Sequence, residues 1–261
     1  MSQPITAPPA VEYPCSDGQP MAETEFQLIP LIEAISALRM HFADRDDVYV
    51  VGNMFLYYEE GNPRAVVAPD LFAVVGAPKH WRHTYKLWEE PKAPDFILEV
   101  TSRSTRTVDR SRKRKLYASL GVREYWMFDP TGDWLAPRLQ GLGLQEGEYQ
   151  PLPSVAAVDG GLLLHSEALG LDVRLEAGEN LRFHDPVTGH HLLGAIEAKM
   201  RYRETQVRYE ETQARYEETQ AHYEETQARY EETQAHLARE IEARRAAEAR
   251  LAELEERLAR S

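Results

Sequence analysis

The chain has 261 residues, of which 43% are hydrophobic, and this is enough for one ordinary domain with an appendage. Its 43 acidic and 30 basic side chains give a formal net charge of -13, which excludes a protein coated all over with basic residues for nucleic-acid binding. The single cysteine, Cys15, excludes an internal disulfide and a zinc site built from cysteines of this chain alone. A bound metal would therefore be held by oxygen or histidine ligands.

The sequence gives no sign of a membrane-spanning segment or of a targeting signal. There is no run of about 18 apolar residues, and the beginning of the chain has neither a basic start nor an apolar stretch of the signal-peptide type. We therefore expect a cytoplasmic protein with no membrane partner. Residues 1–23 contain five prolines and little apolar periodicity, which predicts an irregular surface arm.

A helix and two strands open the predicted domain, residues 24–198. Apolar residues at helical spacing predict the first helix over residues 30–42. A segment rich in β-branched and aromatic residues predicts the first strand over residues 47–58. The nearly continuous apolar run over residues 65–75 predicts one second strand with both faces buried.

A third strand, a second helix and a fourth strand complete the predicted core. The third strand covers residues 95–101, and the second helix covers residues 108–120 and stops at Gly121. The fourth strand follows at residues 122–128. After residue 130, we expect a small β elaboration, because short apolar pieces alternate with Gly, Pro and Asp. These pieces are residues 162–164, 171–175 and 181–183.

Residues 199–261 follow a different pattern, a seven-residue repeat. The unit RYEETQA recurs almost perfectly from Arg201 to His236. Tyrosines fill one heptad position and threonines fill the position three residues later, and this spacing is typical of a left-handed coiled coil. We expect a helix of about 95 Å at 1.5 Å per residue. The helix either forms a homo-oligomer or docking rod, or stands alone with support from Glu-to-Arg pairs four residues apart.

Two acidic residues lie in the apolar strand segments. Asp70 falls inside the second predicted strand and Glu99 inside the third. A buried carboxylate is costly unless it is paired or bound to a metal. Either each acid pairs with a buried cation from the neighbouring helix, or the two acids together form a metal site.

A lysine of the second helix could join these acids. Lys113 precedes Tyr117 by four residues, so it is expected on the apolar stripe that faces the sheet. Two carboxylates and one lysine can hold Mg²⁺ and orient a water against a phosphodiester. The alternative is a surface lysine that extends its amine to solvent.

The segment from residue 103 to residue 115 has seven basic residues and one acid. It could contact nucleic-acid phosphates or be a solvated helix face. Trp81 and Trp88, in a polar loop, could stack on a base or pack the loop down. The candidate phosphate contacts are Arg103, Arg106, Arg110, Arg112 and Arg114.

Two other enzyme classes are disfavoured by the motifs. The chain has no Gly-rich phosphate loop and no Gly-x-Ser-x-Gly elbow, which argues against a nucleotide triphosphatase and a serine hydrolase. Its histidines do not show metal-ligand spacing on one predicted element. The acid and lysine set is therefore the main candidate for chemistry.

The order of these elements resembles the PD-(D/E)xK nuclease core. More narrowly, residues 12–195 are similar to the Uma-type family of bacterial restriction endonucleases. The stretches that carry the resemblance are SDGQPMAETE (16–25), YYEEGNPRAVVAPDLFAV (57–74), RHTYKLWEE (82–90), DFILEVTSRSTR (95–106) and DRSRKRKLYASLGVREYWMFDP (109–130).

The resemblance implies an α/β (α+β) restriction-endonuclease-like core, with a mixed sheet flanked by helices, followed here by the coiled coil. It implies Asp70 and Glu99 as ligands of Mg²⁺, with Mn²⁺ as a substitute. The chain departs from the plain motif at Thr101, where a lysine would stand, and Lys113 matches a variant whose lysine comes from the following helix. Members of the superfamily often place an acid on the first helix, and Glu33 is the candidate.

These observations support three hypotheses on function. The first is a metal-dependent endonuclease that hydrolyses DNA phosphodiester bonds with Asp70, Glu99 and Lys113. The second keeps the nuclease fold without catalysis, as a nucleic-acid or protein binding module that oligomerises through its coiled coil. The third makes the coiled coil the functional part and the globular domain its structural head.

Overall fold

The computed structural model describes residues 11–16, 24–102, 109–157, 160–177 and 180–259. Its contacts divide the chain into two units, residues 1–198 and residues 199–261. Most of the predicted N-terminal arm therefore lies outside the described residues.

Within the described ranges, the chain forms three α-helices and thirteen strands. The helices are α1 (Glu25–His41), α2 (Arg114–Ser119) and α3 (Ala195–Ala259), and a π-helical turn, Asp109–Lys113, leads directly into α2. The strands are β1 (Val48–Gly52), β2 (Leu56–Tyr57), β3 (Val66–Val67), β4 (Leu71–Val75), β5 (Tyr85–Lys86), β6 (Phe96–Val100), β7 (Glu124–Phe128), β8 (Leu139–Gln145), β9 (Glu148–Pro151), β10 (Ser154–Ala156), β11 (Leu162–Ser166), β12 (Leu171–Leu175) and β13 (Leu181–His184).

The main sheet has the strand order β1-β4-β6-β7-β8-β9 in the described residues. Strands β6 and β7 run parallel, and the other neighbours run antiparallel, so the sheet is mixed. Helix α1 packs Leu31 and Leu38 on one face, in a cluster with Phe96. Helix α2 packs Tyr117 on the other face, in a cluster with Ile97. The predicted fold class, a mixed sheet flanked by helices, is confirmed.

Helix α1 begins earlier than the apolar spacing predicts. The helix starts at Glu25, and the preceding N-cap residue, Thr24, donates its backbone N–H to the side chain of Gln27 at 3.3 Å, as in a capping box. Pro30 therefore lies inside the helix and not in its first turn. The start of the helix was predicted from the apolar stripe alone. The polar capping residues lie before that stripe, so the helix begins earlier.

The prediction of one continuous strand over residues 65–75 is wrong. The segment is divided into β3, which belongs to a separate sheet with the order β3-β2-β5, and β4, which belongs to the main sheet. The division falls at Pro69, which has no N–H to donate to a strand ladder. Asp70 consequently lies directly before β4 and not inside a strand.

The region after residue 130 is larger than the predicted elaboration. Strands β11, β12 and β13 match the three predicted pieces and pair in a sheet of the order β10-β11-β12-β13. The hairpin β8-β9, which was not predicted, extends the main sheet. Glycines usually disfavour a strand, but a Cβ at Gly141 would lie 2.8 Å from the Trp126 ring. Glycine is required there because the indole packs directly on the backbone of β8.

Helix α3 contains 65 residues, and the described side chains from residue 199 to residue 255 are exposed. The predicted long helix is confirmed, whereas its association with another helix stays a prediction. Among the described helices, none combines the length and apolar character needed to cross a membrane.

A buried acid joins the two larger sheets. The Oε2 atom of Glu124, on β7, accepts hydrogen bonds from Trp126 Nε1 at 3.0 Å and from Ser166 Oγ at 2.5 Å. Its Oε1 atom accepts one from the backbone N–H of Ala168 at 2.9 Å. Ser166 ends β11, so this carboxylate connects the main sheet with the four-stranded sheet.

We predict that Glu124→Gln lowers the free energy of unfolding by about 2 kcal/mol, because an amide cannot accept from all three donors. Urea denaturation monitored by tryptophan fluorescence would measure the change. Glu148→Gln, at an exposed position of β9, is the matched control and should change the unfolding free energy by less than about 0.5 kcal/mol. Equal unfolding curves for the two variants would contradict this role of Glu124.

Candidate functional site

Asp70 and Glu99 lie at the same end of two neighbouring strands. Leu71 of β4 pairs with Leu98 of β6, and one further step of this antiparallel register brings Asp70 opposite Glu99. The Oδ2 atom of Asp70 accepts a hydrogen bond from the backbone N–H of Val100 at 2.7 Å. The side chain of Asp70 thus continues the contact between the strands where the ladder itself ends.

Glu99 is held by two side chains of the following helical segment. Lys113 Nζ lies 2.7 Å from Glu99 Oε2, and the Tyr117 hydroxyl donates to Glu99 Oε1 at 2.8 Å. The Glu99 side chain is 1% exposed, whereas Lys113 retains 15% exposure. The structure therefore brings together the three residues that the sequence nominated, Asp70, Glu99 and Lys113. Their catalytic and metal-binding functions stay predictions.

The local helix geometry explains why both donors reach one carboxylate. Lys113 ends the π-helical turn and Tyr117 lies four residues later in α2, so both project from the same side of the helix. A π-helical turn is rare and is found frequently at functional sites. The spacing that placed Lys113 on the sheet-facing stripe is confirmed by its contact with Glu99.

Tyr117 is a site residue that the sequence analysis did not nominate. Its side chain is fully buried, and its ring packs edge-on against Tyr125 at 5.2 Å between centroids. Burial raises the pKa of Tyr117 well above its ordinary value. The charge of Glu99 and the hydrogen bond to it raise this pKa further, followed by the charges of Tyr125 and Asp70. The phenol therefore remains a hydrogen-bond donor to Glu99. Its spacing of four residues from Lys113 is the sequence signal that could have identified it.

Thr101 occupies the position where a plain (D/E)xK motif has its lysine. It is 1% exposed, and its Oγ1 atom has no hydrogen-bond partner in the described part of the chain. A hydroxyl cannot replace the charge of a lysine, and Lys113 supplies that charge from the helix instead. The buried hydroxyl retains the capacity to bind one further polar group near Glu99.

The predicted phosphate contacts have different environments. Arg112 is exposed, whereas Arg114 donates from Nη2 to the backbone carbonyl of Tyr149 at 2.8 Å and so also secures β9. Arg103 and Arg106, together with the side chain of Arg110, lie outside the described residues. Phosphate binding by this group of arginines stays a prediction.

Glu33 is located away from these contacts. Its Oε1 atom accepts a hydrogen bond from the backbone N–H of Ile196 at 3.0 Å, in the first turn of α3. Helix N-termini favour acidic partners because their N–H groups are unsatisfied and carry partial positive charge. The structure thus shows a capping contact for Glu33 and, in its described contacts, no link to Asp70 or Glu99.

The two loop tryptophans behave differently. Trp88 packs against Tyr13, with 5.1 Å between ring centroids, whereas Trp81 is 99% exposed. A bidentate ion pair holds the loop, with Arg82 donating to both carboxylate oxygens of Glu90 at 2.6 and 2.9 Å. Packing therefore accounts for Trp88, while the ring of Trp81 is open to solvent.

The donor set suits a hard divalent cation. Mg²⁺ is commonly bound through one or two carboxylates and keeps several waters, which agrees with the paired positions of Asp70 and Glu99. A site with three or more His, Cys, Asp or Glu ligands is absent from the described residues. A cation here would therefore depend on these two acids, together with water or substrate oxygens.

Comparison with known proteins adds an assignment. A model of the Uma2 family, described as "Putative restriction endonuclease", matches residues 3–177. The chain belongs to this family. The family resemblance found in the sequence motifs is thus confirmed, and residues 199–261 lie outside the matched range.

A solved structure, described as "a putative nuclease belonging to DUF820" from Anabaena variabilis, aligns with 62% of this chain and 86% of its own chain. The two share 13% sequence identity, with a TM-score of 0.43. Among curated proteins, none matches the chain.

We predict that Lys113→Met lowers the free energy of unfolding by about 3 kcal/mol, because it removes the cation beside the buried carboxylate of Glu99. Urea denaturation would measure the loss. Lys115→Met changes a neighbouring exposed lysine and should cost less than about 0.5 kcal/mol. A small, equal effect of both substitutions would show that the Lys113–Glu99 contact contributes little in solution.

Proposed function

We propose that the chain is a Mg²⁺-dependent endonuclease that hydrolyses DNA phosphodiester bonds. The observation that supports this most directly is the convergence of Asp70, Glu99 and Lys113 in a chain of a restriction-endonuclease family. Two carboxylates and one amine at the end of neighbouring strands form an arrangement suited to phosphodiester hydrolysis. The buried surroundings of Glu99 strengthen each electrostatic interaction at the site.

The proposed functions of the residues follow from their contacts. Asp70 and Glu99 would hold the cation, which would supply Lewis-acid polarisation of the phosphate. Lys113 retains partial exposure, so its amine can reach a substrate oxygen and stabilise developing negative charge. Tyr117 is a positioning residue, because it touches Glu99 from the buried side and keeps that carboxylate in one orientation.

DNA binding by a chain of net charge -13 requires a local concentration of positive charge. The arginines from Arg103 to Arg114, which precede and surround Lys113, are the proposed phosphate contacts. Their place in the sequence, directly after the strand that carries Glu99, supports this assignment.

We also propose that the chain forms a homo-oligomer through residues 199–261.

We predict that Asp70→Ala reduces cleavage at least about 100-fold, because it removes one of two acids that hold the cation. The assay is cleavage of supercoiled plasmid and of single-stranded DNA with Mg²⁺, Mn²⁺ or EDTA. Asp70→Asn should be equally inactive, although its amide oxygen can still accept from the Val100 N–H. Asp133→Ala, at an exposed loop position, is the control and should retain full activity.

Circular dichroism would establish that the Asp70 variants are folded. Metal-dependent cleavage that is lost in both Asp70 variants supports the proposal. Full activity of either variant would contradict the function of Asp70. Absence of cleavage by the folded wild-type chain on both DNA forms, with either metal, would favour a non-catalytic binding module.

We predict that Tyr117→Phe weakens binding of Mn²⁺ or Mg²⁺ at least about tenfold, because Glu99 loses the donor that orients it. Isothermal titration calorimetry would measure the affinity without reference to activity. Tyr149→Phe is a matched control, since Tyr149 is also buried and donates its hydroxyl to the Val122 carbonyl at 2.8 Å. Both variants should lose a similar amount of thermal stability, and an equal metal affinity for the two would contradict positioning by Tyr117.

A further inference from the structure

One face of α3 carries a row of exposed apolar side chains. The five tyrosines of the repeat are 65–67% exposed, and the same stripe continues with exposed leucines. Tyr and Thr are weaker helix formers than Ala, Glu or Gln, and helices in proteins depend mostly on packing for their stability. The stripe consists of Tyr202, Tyr209, Tyr216, Tyr223, Tyr230, Leu237, Leu251 and Leu254.

The threonines of the repeat make this face more apolar than its composition indicates. Each Thr hydroxyl donates to the backbone carbonyl four residues earlier in the same helix, at 2.7–2.9 Å. The polar hydrogen is thus satisfied within the helix, and the methyl group remains to pack beside the tyrosine rings. The five residues are Thr205, Thr212, Thr219, Thr226 and Thr233.

We infer, resting on the homo-oligomer proposed above, that this face binds the same face of a second copy of the chain, in a parallel and in-register pair of helices. Tyrosines and threonines alternate at intervals of three and four residues, which is the spacing of the two core positions of a coiled coil. In a parallel pair, each layer of tyrosines or threonines meets the identical layer of the partner. A single repeated unit therefore supplies a complete interface with itself.

Charge selects the parallel orientation. The residue before each tyrosine of the repeat is Arg or His, and the residue four positions after each tyrosine is Gln. In a parallel pair, the residue before a tyrosine on one helix lies beside the residue four positions after a tyrosine on the other helix. Arg215 then lies near the partner's Gln220, and Arg250 lies near the partner's Glu255. Antiparallel helices would instead place the rows of arginines against each other, and these like charges repel.

The C-terminal part of α3 selects the register. Five nearly identical units would also pair after a shift of seven residues, because each unit offers the same layers. Beyond the repeat, Leu237, Ala247 and Leu254 follow at the core positions, with Glu240 and Arg244 between them. In register, the leucines meet leucines, and the neighbouring core layers of Glu240 and Arg244 carry opposite charges that offset each other. A shift of one unit would place Arg244 opposite a leucine of the partner, so the in-register pair is favoured.

Cysteine cross-linking tests the arrangement in the full chain. In a Cys15→Ser background, Thr219→Cys and Thr233→Cys are made separately and oxidised. Both should form disulfide-linked pairs, because core positions of a parallel, in-register pair face their own counterparts. Ala221→Cys, on the opposite side of the helix, is the control and should remain unlinked. An antiparallel pair can bring at most one of the two positions opposite itself, so a link at one position alone would overturn the inference.

Sedimentation equilibrium gives an independent readout that does not depend on nuclease activity. The wild-type chain should have a mass of twice 29.9 kDa. Combined Tyr216→Ala and Tyr223→Ala should weaken the association at least about tenfold, since four rings leave the interface. The control, Ala214→Gln with Ala221→Gln, should leave it unchanged. A chain that stays monomeric at all concentrations, or a mass of three or more chains, would overturn the inference.

Discussion

Burial of the Glu99 carboxylate is the constraint on which the candidate site depends. A carboxylate buried within the sheet is energetically tolerable only when hydrogen-bond donors surround it. Lys113 and Tyr117 supply those donors from one helical face, and their contacts fix how α2 lies on the sheet. Asp70, directly before the neighbouring strand β4, adds a second negative charge at this end of the sheet. The electrostatics of this end of the sheet are therefore unfavourable without cations, and this is the property that a metal site requires.

Buried acids are not by themselves signs of function in this fold. Glu124 is satisfied by three neutral donors, and Asp129 accepts hydrogen bonds from the backbone of its own loop, including Trp134 and Leu135. Neither of these acids has a lysine with access to solvent among its described partners. Glu99 differs because Lys113 reaches it from a partly exposed position, beside the acid at Asp70. Asp95 is also buried beside a partly exposed lysine, with Lys92 Nζ at 2.6 Å. The combination of a lysine with a second acid, more than burial or a lysine alone, therefore distinguishes the candidate site from structural acids.

Local patterns predict much of this architecture, and long-range contacts account for what they miss. Helical spacing is sufficient to direct Lys113 toward the sheet, because that geometry depends on one helix. The apolar run over residues 65–75 predicted a single strand. The division at Pro69 follows only when the missing N–H of proline is given more importance than that apolar run. Strand β8 could not be predicted from its own glycines, since the reason for Gly141 is the Trp126 ring of another strand. Tyr117 looked like a core residue because its hydrogen-bond partner, Glu99, is distant in the sequence.

The repeat of α3 gives the chain a length that can change in steps. A coiled-coil face returns after seven residues, so the loss or gain of one unit leaves every remaining side chain on its original side. Each such event would alter the helix by about 10 Å at 1.5 Å per residue. Nearly identical neighbouring units also favour unequal recombination of the coding sequence. Variants of this chain are therefore expected to differ in the number of units, while the apolar stripe and the folded unit before it stay intact.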